Sequence, residues 1–222
     1  MGPRRARQIH EKEARRQDIL AAARQVWDEV PYPALSMALV ARQAELAKGT
    51  LYIYFKTKEE LFLVLAEEEL LSCFEELDEA IGRLEGLPSP GQLAALFAGA
   101  FASVSRLPGL LAILPTALEH NVGHLTALRF NQFLSTRILR TGRLLERHVP
   151  YILEGQGARV VLRVHALAMG LGQLSHRAPV VDRILSAPGL QLFRVDFLPE
   201  LEGTLREMFT GIAVSPRPVP EG

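Results

Sequence analysis

The chain has 222 residues, 25 Lys and Arg against 25 Asp and Glu, 48% hydrophobic residues and one cysteine. Zero net charge with that apolar content excludes an intrinsically disordered chain, and the length suits one large domain or a small one joined to a larger. Cys73 alone cannot form an intramolecular disulfide, and no apolar run approaches the ~20 residues that span a bilayer, so a reduced, cytoplasmic protein is expected.

The basic start, Arg4, Arg5 and Arg7, runs into Lys12, Glu13, Arg15 and Arg16 instead of an apolar segment, so it does not read as a secretory signal. Charge is spread unevenly. Residues 1–56 carry ten basic and six acidic residues, whereas residues 57–86 hold ten acids against Lys58 and Arg83. An anionic partner would sit against the first portion.

Helical spacing recurs along the chain and strict two-residue alternation does not, which predicts an all-α protein of about nine helices. Ile19, Ala22, Ala23, Val26, Trp27 and Val30 share one face of a first helix, ended by Pro31-Tyr32-Pro33. Ser36 offers an N-cap for a short helix to about Gln43; a turn follows at Ala44 to Leu46, then a second short helix from Ala47 to Phe55. Thr57-Lys58-Glu59-Glu60 fits a capping box in which the Glu60 carboxylate reaches back to the Thr57 amide. The long helix it opens puts Leu61, Leu65, Leu70, Phe74, Leu77, Ile81 and Leu84 on one stripe, with Glu67 to Glu69, Glu75, Glu76, Asp78 and Glu79 expected mostly to face away. Ser89-Pro90-Gly91-Gln92 repeats the start pattern for an almost wholly apolar helix to Val104. A helix from Pro108 to about Asn121 is expected to be interrupted at Pro115, and a long one covers Leu125 to His148. Two more, near 157–176 and 196–212, precede a tail with Pro216, Pro218 and Pro220 that is expected to be disordered.

The most informative stretch is Ser36 to Lys58. Placing Leu51 and Phe55 inward at about 100° per residue turns Gly49 and Ile53 outward, with Thr50 beside them and Tyr52 and Tyr54 on the flanks. An isoleucine and two tyrosines suit a covered face better than an aqueous one. A glycine lets a backbone approach, hydroxyls and Lys48 can donate to phosphate, and Ile53 can meet a thymine methyl in a major groove.

The run Lys48-Gly49-Thr50-Leu51-Tyr52-Ile53-Tyr54-Phe55-Lys56-Thr57-Lys58 resembles the KGTLYxYFxxK pattern of the tetracycline-repressor (TetR) family of bacterial transcription regulators, and the resemblance is strongest over residues 16–65. It implies a three-helix helix-turn-helix DNA-binding domain over residues 1–56, a ligand-binding and dimerisation domain over 57–213, and a tail over 214–222. It also implies repression relieved by a small molecule. By this resemblance Ser36 opens the second helix as a phosphate contact, Lys48, Gly49, Thr50, Tyr52 and Tyr54 belong to the recognition helix, and Ile53 falls at a variable groove-facing position. Lys58 matches a lysine that contacts the DNA backbone. Two positions depart from the pattern: Glu45 stands where glycine is usual and Ala47 where a Ser or Thr cap is usual, each expected to cost on the order of 1 kcal/mol. The basic residues Arg4 to Arg16 fit either a solvated end or a groove-binding arm.

The apolar residues of the middle helices read by themselves as ordinary bundle core; the resemblance implies instead that these helices enclose a cavity. Phe97, Phe101, Leu114, Leu118, Phe130 and Phe133 would line its apolar walls, and His120, Asn121 and Arg137 would supply polar contacts to a small, largely apolar effector. His120 and His124 stand four apart with Glu119 alongside, short of the donors a zinc site requires, so no metal site is expected. With no placed nucleophile and no Gly-rich phosphate loop, no catalytic residue, cofactor or enzymatic activity is expected. Ala166, Gly170 and Gly172, together with a stripe of Phe197, Leu201, Leu205, Met208, Phe209 and Ile212, need a cover, which is either the same chain or, as the resemblance implies, a symmetry mate in a homodimer interface. Such a dimer would match a palindromic double-stranded DNA operator. The alternative reading is a DNA-binding regulator controlled by a protein partner without a small-molecule effector.

Overall fold

A computed structural model describes residues 3–177 and 179–214, and only the backbone of residues 3–6, 9, 116–120 and 179. The tail from 215 onward lies outside the described residues. Among those described, regular structure is helical: α1 (Pro3–Glu29), α2 (Met37–Gln43), α3 (Lys48–Tyr54), α4 (Lys58–Gly82), α5 (Pro90–Ala102), α6 (Leu107–His120), α7 (His124–His148), α8 (Gly157–Ser175), α9 (Pro179–Leu185) and α10 (Phe197–Val214). Single 3-10 turns cover Tyr32–Ala34 and Gln191–Phe193. No single helix among them is long and apolar enough to cross a membrane. The chain divides into two units, one of residues up to Glu67 with Pro115–Leu128, the other of Glu68–Leu114 and the residues from Arg129 onward.

In the first unit, Ile19, Leu20, Ala23 and Val26 of α1, Val40 and Ala41 of α2 and Leu51 of α3 are buried as a three-helix core. Trp27, Tyr32 and Phe62 extend that core as a cluster of rings with centroids 5.5 to 6.1 Å apart. The apolar face of α1 begins at Ile19, yet the helix starts at Pro3, so the basic N-terminus is helical. Exposed pairs such as Arg7 with Glu11, 2.8 Å apart, fall at the four-residue spacing that supports a helix without a core. The Thr57 hydroxyl accepts from the Glu60 amide at 3.0 Å as expected, but the Glu60 carboxylate takes the Lys56 amide at 2.8 Å and not that of Thr57. The carboxylate thus satisfies a donor between α3 and α4.

The second unit opens with the expected capping box: the Ser89 amide donates to Gln92 at 2.9 Å and the Gln92 amide to the Ser89 hydroxyl at 3.2 Å. Three expectations change here. Pro115 lies inside a continuous α6, so the helix carries a missing amide without ending. Asp78 and Glu69 are buried, not solvated. The Thr141 hydroxyl of α7 donates to Asp78 Oδ1 at 2.6 Å, and Arg140 Nε lies 2.9 Å from Oδ2 as an ion pair, which is how a carboxylate is held in the interior. Finally, most of the stripe of α10 is covered by its own chain: Phe197, Leu201, Leu205 and Phe209 are buried, with Phe209 5.5 Å from Phe97 and Phe197 5.7 Å from Phe101 between ring centroids, while Met208 and Ile212 stay half-buried. Gly172 is likewise used within the chain, since a Cβ there would stand 2.6 Å from the Pro108 carbonyl oxygen of α6.

The short helix α9 has no counterpart among the predicted elements. Its Val180, Val181 and Ile184 are exposed, so it presents none of the buried periodicity that identifies a helix from sequence.

Candidate nucleic-acid interface

The geometry of α3 follows from how α2 ends. The Leu46 amide bonds the Ala41 carbonyl at 2.9 Å and the Glu45 amide bonds that of Arg42 at 3.2 Å, the paired pattern of a Schellman motif. That motif requires its middle residue in the left-handed region, and Glu45 has φ +54°. A side chain there is strained, so Glu45→Gly is expected to stabilise the protein by about 1 kcal/mol and raise its thermal unfolding midpoint. A midpoint equal to or below that of the parent chain would show that the turn carries no such strain. Ala47 then stands at the N-cap of α3 in extended conformation with no side-chain bond.

Leu51 and Phe55 are buried, which fixes the rotation of α3. Ile53 is 66% exposed and Tyr52 38%, Lys48 and Gly49 are exposed, and Thr50 and Tyr54 are half-buried. A Cβ on Gly49 would meet nothing within 4 Å, so open space lies over that backbone. The Lys48 ammonium sits 5.9 Å over the Tyr52 ring, a cation–π contact that holds both groups on this face. Ser36 caps α2, its hydroxyl oxygen accepting from the Leu39 amide at 3.3 Å, which leaves its own O–H as a donor. Of these seven residues Ser36, Lys48, Gly49, Tyr52 and Ile53 are exposed, and they offer one cation, two hydroxyls and an apolar side chain to solvent.

Lys58 is placed differently. It is half-buried, and its ammonium donates to the carbonyls of Tyr32 and Leu35 at 3.3 and 3.2 Å while lying 4.1 Å over the Tyr32 ring. It fastens the segment before Ser36.

In the second unit, Phe97 and Phe101 meet Leu70, Cys73, Phe74 and Leu77 of α4 and Val161, Val164 and His165 of α8 around a cavity of about 20 Å³. Burial, and then the charge of Glu76, pushes the Cys73 thiol up to about 12, so it stays protonated; burial lowers His165 and keeps its imidazole neutral. Leu114, Phe130, Phe133 and Arg137 do not line this cavity. Phe133 stacks near Phe130 at 6.3 Å, and the Arg137 guanidinium lies 5.8 Å over the Phe133 ring. Asn121, in the first unit, is exposed and its carbonyl accepts from the Thr57 hydroxyl at 3.4 Å. The side chains of Leu118 and His120 lie outside the described residues. Sequence reading missed the α8 wall; its signal was a histidine four residues after Val161 on the apolar face of a helix.

Comparison with known proteins completes the assignment. In Bacillus subtilis (strain 168), the HTH-type transcriptional regulator YhgD is 40% identical over 67 residues, 30% of this chain and 35% of its own length. The fatty acid metabolism regulator protein of the same organism is 33% identical over 73 residues, 33% and 38% of the two chains. The chain thus spans a little over a third of the length of the curated relatives it matches. Among solved structures, the transcriptional regulator FadR of Bacillus subtilis in complex with stearoyl-CoA has a TM-score of 0.54 at 22% identity, covering 90% of this chain and 99% of that one. A TetR-family regulator from Syntrophomonas wolfei has a TM-score of 0.58 at 16% identity, covering 94% and 99%. These two show the fold. The model for bacterial regulatory proteins of the tetR family matches residues 19–65, and that for the tetracyclin repressor-like C-terminal domain matches residues 67–216, so the chain belongs to the TetR family of transcriptional regulators.

Proposed function

We propose that the chain is a homodimeric, sequence-specific DNA-binding repressor of the cytoplasm, released from a palindromic operator by a small, largely apolar effector. The observation that carries this reading is the outward face of α3, where Ile53 and Tyr52 stand exposed beside Lys48 and Gly49. Apolar and aromatic groups held in water at the mouth of a glycine-floored surface fit a duplex that covers them. Ser36, Lys48, Thr50 and the tyrosines position the protein on phosphates, and Ile53 meets base edges. Residues 1–56 form the DNA-binding domain and residues 57–213 the effector and dimerisation domain.

With the α10 stripe buried, the outward residues of α8 carry the dimer reading. Leu162, Ala166, Gly170 and Leu174 recur every four residues, and all are exposed. Two small residues between two leucines allow a second helix to come close. The effector reading rests on the apolar cavity between α4, α5 and α8, and a protein of the same fold holds stearoyl-CoA. At about 20 Å³ the cavity is closed to any such molecule, so an effector has to part its walls. The helix α4 supplies four of the lining residues. The effector therefore favours a dimer whose two recognition helices no longer match major grooves roughly 34–36 Å apart.

The test is titration of an operator fragment at several salt concentrations. Lys48→Ala should weaken binding and reduce the slope of log affinity against log salt by about one, the signature of one lost phosphate contact. Unaltered affinity and slope would remove Lys48 from the interface.

A further inference from the structure

The inward face of α1 does not end where the core ends. Ile19, Ala23 and Val26 recur at helical spacing and are buried. Continued toward the N-terminus, the same spacing falls on Arg16, Lys12, Gln8 and Arg5, with helical backbone throughout. None of these four is apolar and none is acidic. At about 100° per residue, Glu11, Glu13 and Asp18 each lie about 100° or more away from that line. A helix that only meets water gains by mixing charges around its girth, and off the line α1 does so: Arg7 lies 2.8 Å from Glu11, and Arg15 3.5 Å from Asp18.

Arg16 stands where the line leaves the core. Its side chain is 34% exposed, it meets Glu13 from the side at 3.5 Å, and its guanidinium lies 5.6 Å over the ring of Phe55, the residue that closes α3. Gln8 and Lys12 are exposed, as are Arg7 and residues 10–15. From Arg16 back to Pro3 the helix runs on for about 20 Å beyond its contact with Phe55. A duplex seated on α3 has its phosphate strands flanking that helix.

We infer that the N-terminal half of α1 is a second DNA-contacting element, laid against the phosphate strand that passes the Phe55 end of α3. Lys12, and Arg5 two turns further on, contact phosphates; Arg16, held over Phe55, is the positioning residue that sets the helix against α3. This rests on the reading that α3 enters duplex DNA, and adds a contact outside the helix-turn-helix. The charge of the line is opposite to that of the strand, and the Phe55 contact makes the line continuous with the α3 face. The cations stand on a helix already formed, so little backbone ordering opposes binding. Such a contact reads charge and not bases, so it strengthens binding to any duplex sequence.

The full chain is titrated with an operator fragment and with a random-sequence duplex of equal length at several salt concentrations. Lys12→Gln should reduce the slope of log affinity against log salt by about one. Arg5→Gln and Lys12→Gln together should reduce it by about two and weaken both duplexes by the same factor, about tenfold or more. Arg7→Gln removes the same charge as Lys12→Gln from a position about 140° round the helix, and should leave slope and affinity unchanged. A double variant with the parent slope overturns the inference. So does an equal loss in Lys12→Gln and Arg7→Gln, which would reduce the effect to net charge. In both cases the α3 reading stands or falls separately, on Lys48→Ala. A parent chain that binds neither duplex removes that reading as well. Phosphatidylglycerol vesicles offer the other anionic surface: binding that the double variant loses, beside an unaltered DNA slope, assigns the line to a membrane and overturns its assignment to DNA.

Discussion

One methyl group added at Gly157 is expected to destabilise the protein by about 3 kcal/mol or more, and to lower the thermal midpoint by about 10 °C. A Cβ there would overlap the carbonyl group of Gly142, and the reciprocal Cβ on Gly142 would overlap backbone atoms of Ala158 and Gly157. Both glycines are buried, and what they meet is main chain, which cannot rotate away as a side chain can. The only relief is to separate α7 from α8. That separation would also break the bond by which the Gly157 amide, at the start of α8, donates to Glu146 of α7 at 2.7 Å. An internal control carries the opposite sign. Gly99 lies in α5, is exposed and would place a Cβ in open space, so Gly99→Ala should gain up to about 1 kcal/mol from helix propensity. Urea unfolding of the parent chain and the variants Gly157→Ala, Gly142→Ala and Gly99→Ala decides it; a Gly157→Ala midpoint within error of the parent would mean that the two helices do not cross at this distance.

These glycines also mark where sequence reading stops. Local rules located most of the helices: the capping residues Ser89 and Gln92, the N-cap Ser36 and the apolar stripe of α4 all act within a few residues of one another. The left-handed residue at Glu45 was legible through the family resemblance, which sets a glycine at that position of the turn. Outcomes that depend on residues far apart were not. Asp78 reads as one more acid on a charged helix until Thr141, 63 positions later, supplies its hydrogen bond. The stripe on α10 reads as an uncovered face until α5 is found against it. The cavity shows the same division, since Phe97 and Phe101 stand out in an apolar helix, whereas His165 and Val161 gain their role only from the crossing of α8 with α4 and α5. For the proposed recognition surface the balance is reversed. Its seven residues lie within a span of 19, from Ser36 to Tyr54, so helical phase alone orients nearly all of them.

Lys58 is where that local logic needs the structure most, and Lys58→Met is expected to cost about 2 kcal/mol of stability. A cation in the first turn of α4 opposes the helix dipole, so its position is unfavourable unless something offsets it. The offset is on hand in the carbonyls of Tyr32 and Leu35 and the Tyr32 ring, which together enclose the ammonium. Methionine keeps the apolar stem but removes the ammonium from both carbonyls, leaving Tyr32's only the Leu35 amide at 3.2 Å, and frees the segment that ends at Ser36. Loss of this anchor should weaken operator binding more than Lys48→Ala does, because Ser36 and the start of α2 lose their fixed position. The salt dependence separates the two roles. A lysine that only holds the protein together contributes no released counterion, so the folded Lys58→Met protein should keep the parent slope, in contrast to Lys48→Ala. A slope flatter by about one, with stability unchanged, would return Lys58 to the phosphate contacts and deny it the anchoring role.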